Sequence, residues 1–262
     1  MQETPKDHER CSYMSRREER TCDERGRQTH KLTLEQPTDT TLVEAAELIG
    51  KTWYPDEPAN WDGACEKIEL AHHLEHATYV RAAMLDKHFA GIIAVGPTKT
   101  ADGSVLVSAD ALWYRNHLQS IASWAAGTQD EVKIGVALAP VTAEMALTQE
   151  LIEHGDARSA WEVTLLVVDP ACHGHGIGRA LFSDALSYLR GQGSPGFFLA
   201  TDDGCDFGFY DHLGLERITS REAASCPGVP QEDGHVPYGN PNKKPFHVYL
   251  YGAWLGDQDD VR

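Results

Sequence analysis

His173, Gly174, His175, Gly176, Ile177 and Gly178 follow a strand-like run that ends at Asp169-Pro170. Glycines this dense are costly unless the backbone needs left-handed dihedrals or must let another group approach closely. An amphipathic run begins at Arg179, so the segment reads as a strand–loop–helix corner. Such a corner turns unpaired N–H groups outward, and the first helical turn adds partial positive charge. Together they suit a concentrated anion such as a pyrophosphate. A tight turn with no ligand would use the same glycines. No Gly-Lys-Ser/Thr follows, which excludes the nucleoside triphosphatase loop, and the run from Gly174 to Gly178 is a poor dinucleotide fingerprint.

The corner needs a strand before it and a helix after it. Residues 160–170 have the composition of a central strand. Residues 179–193 read as a helix that buries Leu181, Ala185, Leu186 and Leu189. Downstream come a strand at 196–202, a short helix ending near Gly214, a strand at 216–222 and an aromatic strand at 246–255. Upstream, 31–37 reads as a short strand stopped by Pro37. Residues 39–54 read as a helix capped by Asp39 or Thr40, with an apolar face of Leu42, Ala45, Ala46 and Ile49. A second helix fits Asp62 to about His76, and two strands then form a hairpin turning at Asp86-Lys87. The stretch 104–160 reads as a helical insertion whose strongest helix starts at an N-cap Thr142 and stops before Gly155. Residues 223–245, rich in Pro, Gly and Asn, read as a long loop. Strands alternating with helices imply an α/β or mixed sheet.

The 262 residues suit one large domain or two small ones with ample core. Residues 1–30 are polar, hold seven basic and seven acidic residues and predict a flexible tail or a clasp. The formal net charge of -17 therefore belongs to the rest of the chain. Such a surface attracts cations and repels a nucleic-acid backbone, so no nucleic-acid partner is expected. No apolar run approaches the roughly 20 residues of a membrane span. The six cysteines are scattered without paired spacing. Reduced thiols, a cytoplasmic location and no membrane partner follow as expectations. His72, His73 and His76 cluster on a helix, with His72 and His76 four apart, but no further ligand pattern completes a metal site, and solvated helix histidines are expected. Cys172 and Cys205 flank the suspected site without an evident activating partner.

The segment from Val163 to Arg217 resembles the core of the GCN5-related N-acetyltransferase (GNAT) superfamily. Its acyl-CoA loop has the pattern Gln/Arg-x-x-Gly-x-Gly/Ala, which falls here on residues 173–178, with His173 in place of Gln or Arg. A second family pattern runs Asn, Ala, Tyr and Gly-Phe; here it reads Asp203, Asp206, Tyr210 and Gly214-Leu215. The tyrosine register is kept, and the two aspartates are departures that would alter contacts near the CoA arm. The resemblance implies a GNAT-like fold: a central mixed twisted sheet flanked by helices, in one domain over 31–262 with insertions at about 104–160 and 223–245.

It further implies an enzyme that moves an acetyl group from acetyl-CoA, as co-substrate, directly to an amine on a small molecule or peptide. His173, Gly174, His175, Gly176, Ile177, Gly178 and Arg179 would hold the cofactor's phosphates. Backbone N–H groups near Leu166 and Val168 would hold the acetyl carbonyl and the pantetheine arm. Tyr210 would be the general acid and Glu162, at the start of the central strand, the general base. A core aromatic and a strand-end carboxylate are the bland readings of these two. Residues that could line an acceptor pocket are Trp113, Tyr114, Trp124 and Tyr249, each equally suited to a core. A non-catalytic acyl-CoA-binding or regulatory protein on the same fold is the alternative. Neither oligomeric state nor the acceptor is encoded in a readable motif.

Overall fold

A computed structural model describes residues 30–57, 62–98, 138–226 and 245–256. Seven strands form one open sheet: β1 (Leu32–Glu35), β2 (Tyr79–Leu85), β3 (His88–Pro97), β4 (Trp161–Val168), β5 (Gly196–Asp202), β6 (Glu216–Glu222) and β7 (His247–Trp254). Their spatial order is β1-β2-β3-β4-β5-β7-β6. Only β4 and β5 run parallel; every other neighbouring pair is antiparallel. The sheet is therefore mixed, as the sequence implied.

The helices are α1 (Asp39–Trp53), α2 (Ala64–Leu74), α3 (Ala139–Glu153), α4 (Ile177–Gly191) and α5 (Gly208–His212). They cover both faces of the sheet. Phe197 and Leu199 of β5 pack with Leu181, Ala185 and Leu189 of α4, whereas Phe198 between them packs with Leu147 and Leu151 of α3. On β4, Leu165 and Val167 face α1 and α2, beside Leu42, Ile49 and Leu74. The period-two alternation of the strands thus supplies both halves of the core.

Several local readings shift by a residue or two. Thr38, not Asp39 or Thr40, caps α1: its hydroxyl accepts from Thr41 N–H at 3.3 Å, and Thr41 Oγ1 accepts from Thr38 N–H at 2.7 Å. The chain leaves Pro37 ready to turn, so the cap sits one position earlier. Thr142 does not cap α3 but lies inside it, donating from Oγ1 to Leu138 O at 3.1 Å. Pro140 starts this helix because the first turn needs no N–H from it. Gly155 follows the helix at φ 73° as a left-handed terminator. Asp86 and Lys87, at φ 51° and 70°, make the tight β2–β3 turn.

Candidate active site

The site begins where the sheet comes apart. β4 and β5 share a single paired position, Glu162 with Phe198, and then diverge. On its other edge β4 stays zipped to β3 as far as Val168 opposite Gly91, and Asp169 N–H donates to Ala90 O at 2.9 Å. Because N–H directions alternate along a strand, Val167 also points toward β3. Leu166 and Val168 then turn their N–H groups into the gap left by β5. The residues expected to hold an acyl-carrying arm thus present donors without a partner among the described residues, and both line a cavity of about 870 Å³ in the gap.

At the end of β4 the chain turns through Pro170–Cys172 into the glycine loop. Gly174 and Gly176 have φ of 82° and 73°, and neither would meet an atom within 4 Å if it carried a Cβ. They are glycine because of the backbone conformation, not because of crowding. Gly176 directly precedes the first turn of α4, whose N–H groups have no side-chain cap. Gly178 is different: a Cβ there would lie in ordinary contact with the Phe209 ring, at 3.5 Å. His173, Gly174, Gly176, Ile177, Gly178 and Arg179 line the cavity. His175 does not; it is exposed, its Nδ1 lies 3.1 Å from Cys172 O, and its ring meets His30 edge-on.

Tyr210 lines the same cavity from α5. Its ring packs among Phe182, Phe209 and Tyr251. No described residue hydrogen-bonds its hydroxyl, unlike a core tyrosine with a satisfied phenol. Burial, then Cys205, Glu144 and Asp206, holds the phenol well above its ordinary range, so it stays protonated at neutral pH. The thiols of Cys205 and Cys172 are also pushed up, chiefly by burial. Protonated thiols are poor nucleophiles, which disfavours a covalent route.

Glu162 is not among the cavity-lining residues. A bulge explains why its orientation was hidden in the sequence. Ala94 pairs with Leu165 and Val95 with Val163, leaving Thr164 as an extra residue in β4. Val163 consequently faces α4, while Leu165 faces α1 and α2. Glu162 lies on the α2 side, toward His73. Thr164 Oγ1 donates to His73 O at 2.7 Å and ties α2 to the bulge. Burial raises the Glu162 carboxyl to about 7, an effect His73 partly opposes.

Four other carboxylates do line the cavity: Glu69 of α2, Glu144 of α3, Asp202 of β5 and Asp206 just before α5. No sequence motif marks the first three, because they come from three elements far apart in the chain; Asp206 is one of the two departures in the second family pattern. Glu69 is buried; it accepts from the Tyr54 hydroxyl and lies 3.4 Å from His73 Nε2. His73 lines the cavity too and is not the solvated helix histidine the sequence suggested; packing of α2 against β4 draws it inward. His72 is likewise sheltered, and burial lowers its imidazole to about 3. Among the described residues no group of His, Cys, Asp or Glu is arranged to hold a metal ion.

Tyr249 is placed elsewhere. It is 8% exposed, donates to Asp203 and packs against Phe207, away from the cavity lining. Asp203 also accepts from His247 N–H at 2.8 Å, so this departure from the family pattern fastens β7 rather than the CoA arm. Trp113, Tyr114 and Trp124 lie outside the described residues. No helix among the described residues is long and apolar enough to cross a membrane.

Comparison with known proteins agrees with this geometry. Residues 42–214 match the model of the Acetyltransferase (GNAT) family. No curated protein matches the chain. Similar solved structures include an agmatine N-acetyltransferase in its apo form, at 14% identity and a TM-score of 0.49, covering 86% of this chain and 100% of that one. A polyamine N-acetyltransferase of Drosophila melanogaster shares 13% identity at a TM-score of 0.47, with 86% and 100% covered. The ribosomal-protein-S18-alanine N-acetyltransferase of Escherichia coli shares 13% at 0.44, with 88% and 97% covered. With two thirds of its length on the family model and the sheet splayed at β4–β5, the chain belongs to the GNAT acetyltransferase family.

Proposed function

We propose that this protein is an N-acetyltransferase that moves the acetyl group of acetyl-CoA directly to an amine. The observation that carries the reading is one cavity joining the N–H edge of β4, the glycine loop and Tyr210. The pyrophosphate binds over residues 173–179, on backbone N–H groups and the positive end of α4. The pantetheine arm lies along β4 and replaces the strand that β5 withdraws. The neutral amine attacks the thioester carbonyl, forming the C–N bond. Leu166 or Val168 N–H stabilises the oxygen as it gains charge. The C–S bond breaks, and the phenol of Tyr210 donates toward the departing sulfur. The proton lost by the amine passes, through water, to Glu162.

Turnover tests the reading: acetyl-CoA with an amine yields free CoA and acetylated amine in equal amounts. Binding of acetyl-CoA without transfer to any amine would favour the non-catalytic alternative.

Glu162 provides a pH prediction. A general base works when ionised, so kcat/KM climbs as pH rises through about 7, where burial has set the carboxyl. Its raised pKa has a stability consequence of opposite sign. The folded state favours the protonated acid, so stability is full below the unfolded value of about 4.3 and falls as pH rises through 7. Glu162→Gln removes that penalty, worth up to about 3 kcal/mol. The variant is expected to melt higher than wild type at pH 8, with the gap closing toward pH 4, while turnover is lost. A pH-independent difference in Tm would mean that Glu162 is not desolvated.

A further inference from the structure

From the cavity's charge we infer that the acceptor is a diamine or polyamine, whose second ammonium is held between Glu144 and Asp202 on the cavity wall. This rests on the acetyltransferase reading and names the substrate class of the same site. The elements that line the cavity differ in charge. The glycine loop offers N–H groups and Arg179, whereas Glu69, Glu144 and Asp202 come from α2, α3 and β5; Asp206 adds a carboxylate beside Tyr210. Glu69 is already satisfied by Tyr54 and His73. Asp202 accepts one N–H, from Gly204 at 2.7 Å.

Glu144 is the telling group. It is partly buried on the cavity wall, and no described residue donates a hydrogen bond to it. Burial, then Asp202, Glu69 and Glu162, raises its carboxyl well above the usual range. Burial also raises Asp202, to about 6, with Glu69 and Asp203 adding to the effect. An unpaired, partly buried carboxylate beside others of like charge is unfavourable in the empty protein. A bound cation relieves it and pulls both groups back to the ionised form. Among the described residues no group of ligands converges on one point to hold a metal ion. Carboxylates spread along a wall suit charge spread along a chain, as in an alkyl diamine. Glu144 also raises the Tyr210 phenol, which sets the wall beside the reacting centre. One nitrogen of the diamine, neutral, can then meet the thioester while the other remains an ammonium against the wall.

The test compares α,ω-diaminobutane with butylamine and with γ-aminobutyrate, which place a cation, nothing or an anion at the far end of one chain. On the full-length protein, kcat/KM is expected to be at least tenfold higher for the diamine than for butylamine, with γ-aminobutyrate lowest. Glu144→Gln should cut the diamine-to-butylamine ratio about tenfold and leave the acetyl-CoA Kd unchanged. Asp202→Asn provides a second variant should Glu144→Gln fold poorly. Equal turnover of diamine and butylamine overturns the inference while the transferase reading stands. If no amine is acetylated, calorimetry on the CoA-loaded protein decides. Diamine binding that Glu144→Gln weakens supports the inference although the transferase reading falls, and absence of diamine binding overturns it.

Discussion

Replacing Tyr210 with Phe is expected to slow acetyl transfer by roughly a hundredfold to ten-thousandfold, the usual range for loss of a general acid. The ring and its packing against Phe182, Phe209 and Tyr251 are kept. The hydroxyl has no hydrogen-bond partner among the described residues, so stability should change by less than about 1 kcal/mol. Affinity for acetyl-CoA should also hold, because the proposed mechanism rests the phosphates and the pantetheine arm on backbone groups elsewhere. The expected pattern is a fall in kcat at constant cofactor Kd, which marks an interaction made in the transition state. Slow product release can mask a chemical defect in steady state, so the single-turnover rate is the proper readout. A full single-turnover rate in the Phe variant would return Tyr210 to the aromatic core. The glycine-loop assignment would stand, since it rests on other residues.

The second large effect is expected at Gly176. Its Cα borders the empty space over the loop, and its φ is 73°. Gly176→Glu sets a carboxylate where the pyrophosphate belongs. Like charges brought together at an interface cost several kcal/mol, and each 1.4 kcal/mol is about tenfold in Kd. Acetyl-CoA affinity should therefore fall by about a hundredfold or more. The left-handed backbone adds a strain of about 1 kcal/mol for any residue with a Cβ. Gly176→Ala carries the same strain without the charge and separates the two contributions. It should lower Tm slightly and retain most of the affinity. Calorimetry on both variants gives the answer, and tight binding by the Glu variant would move the phosphates away from this loop.

The parts of the site that were legible in the sequence are those fixed by local backbone demands. Gly174 and Gly176 are visible because left-handed φ selects glycine, and α4 because its apolar residues recur at helical spacing. The turn at Asp86-Lys87 is visible for a similar reason. What escaped depends on contacts between distant elements. The bulge at Thr164 has no sequence mark, yet it decides which face of β4 Glu162 takes. Without it the alternation from Trp161 to Val168 would have placed Val163 and Leu165 on one side. Glu69, Glu144 and Asp202 meet only because α2, α3 and β5 are brought together by the topology. Asp203 looked like a change near the cofactor and proved to be the partner of Tyr249 and His247. Its role could not be read before β7 was set beside β5.

The most direct test of the account is a coupled measurement on the wild-type protein. Acetyl-CoA carrying a labelled acetyl group is mixed with an alkyl diamine, and free thiol and labelled N-acetyl product are counted together. The account predicts equal amounts of both, with the label on nitrogen and none left on the protein. Thiol release without labelled product, or label retained covalently on a cysteine, would contradict direct transfer at the β4–β5 gap.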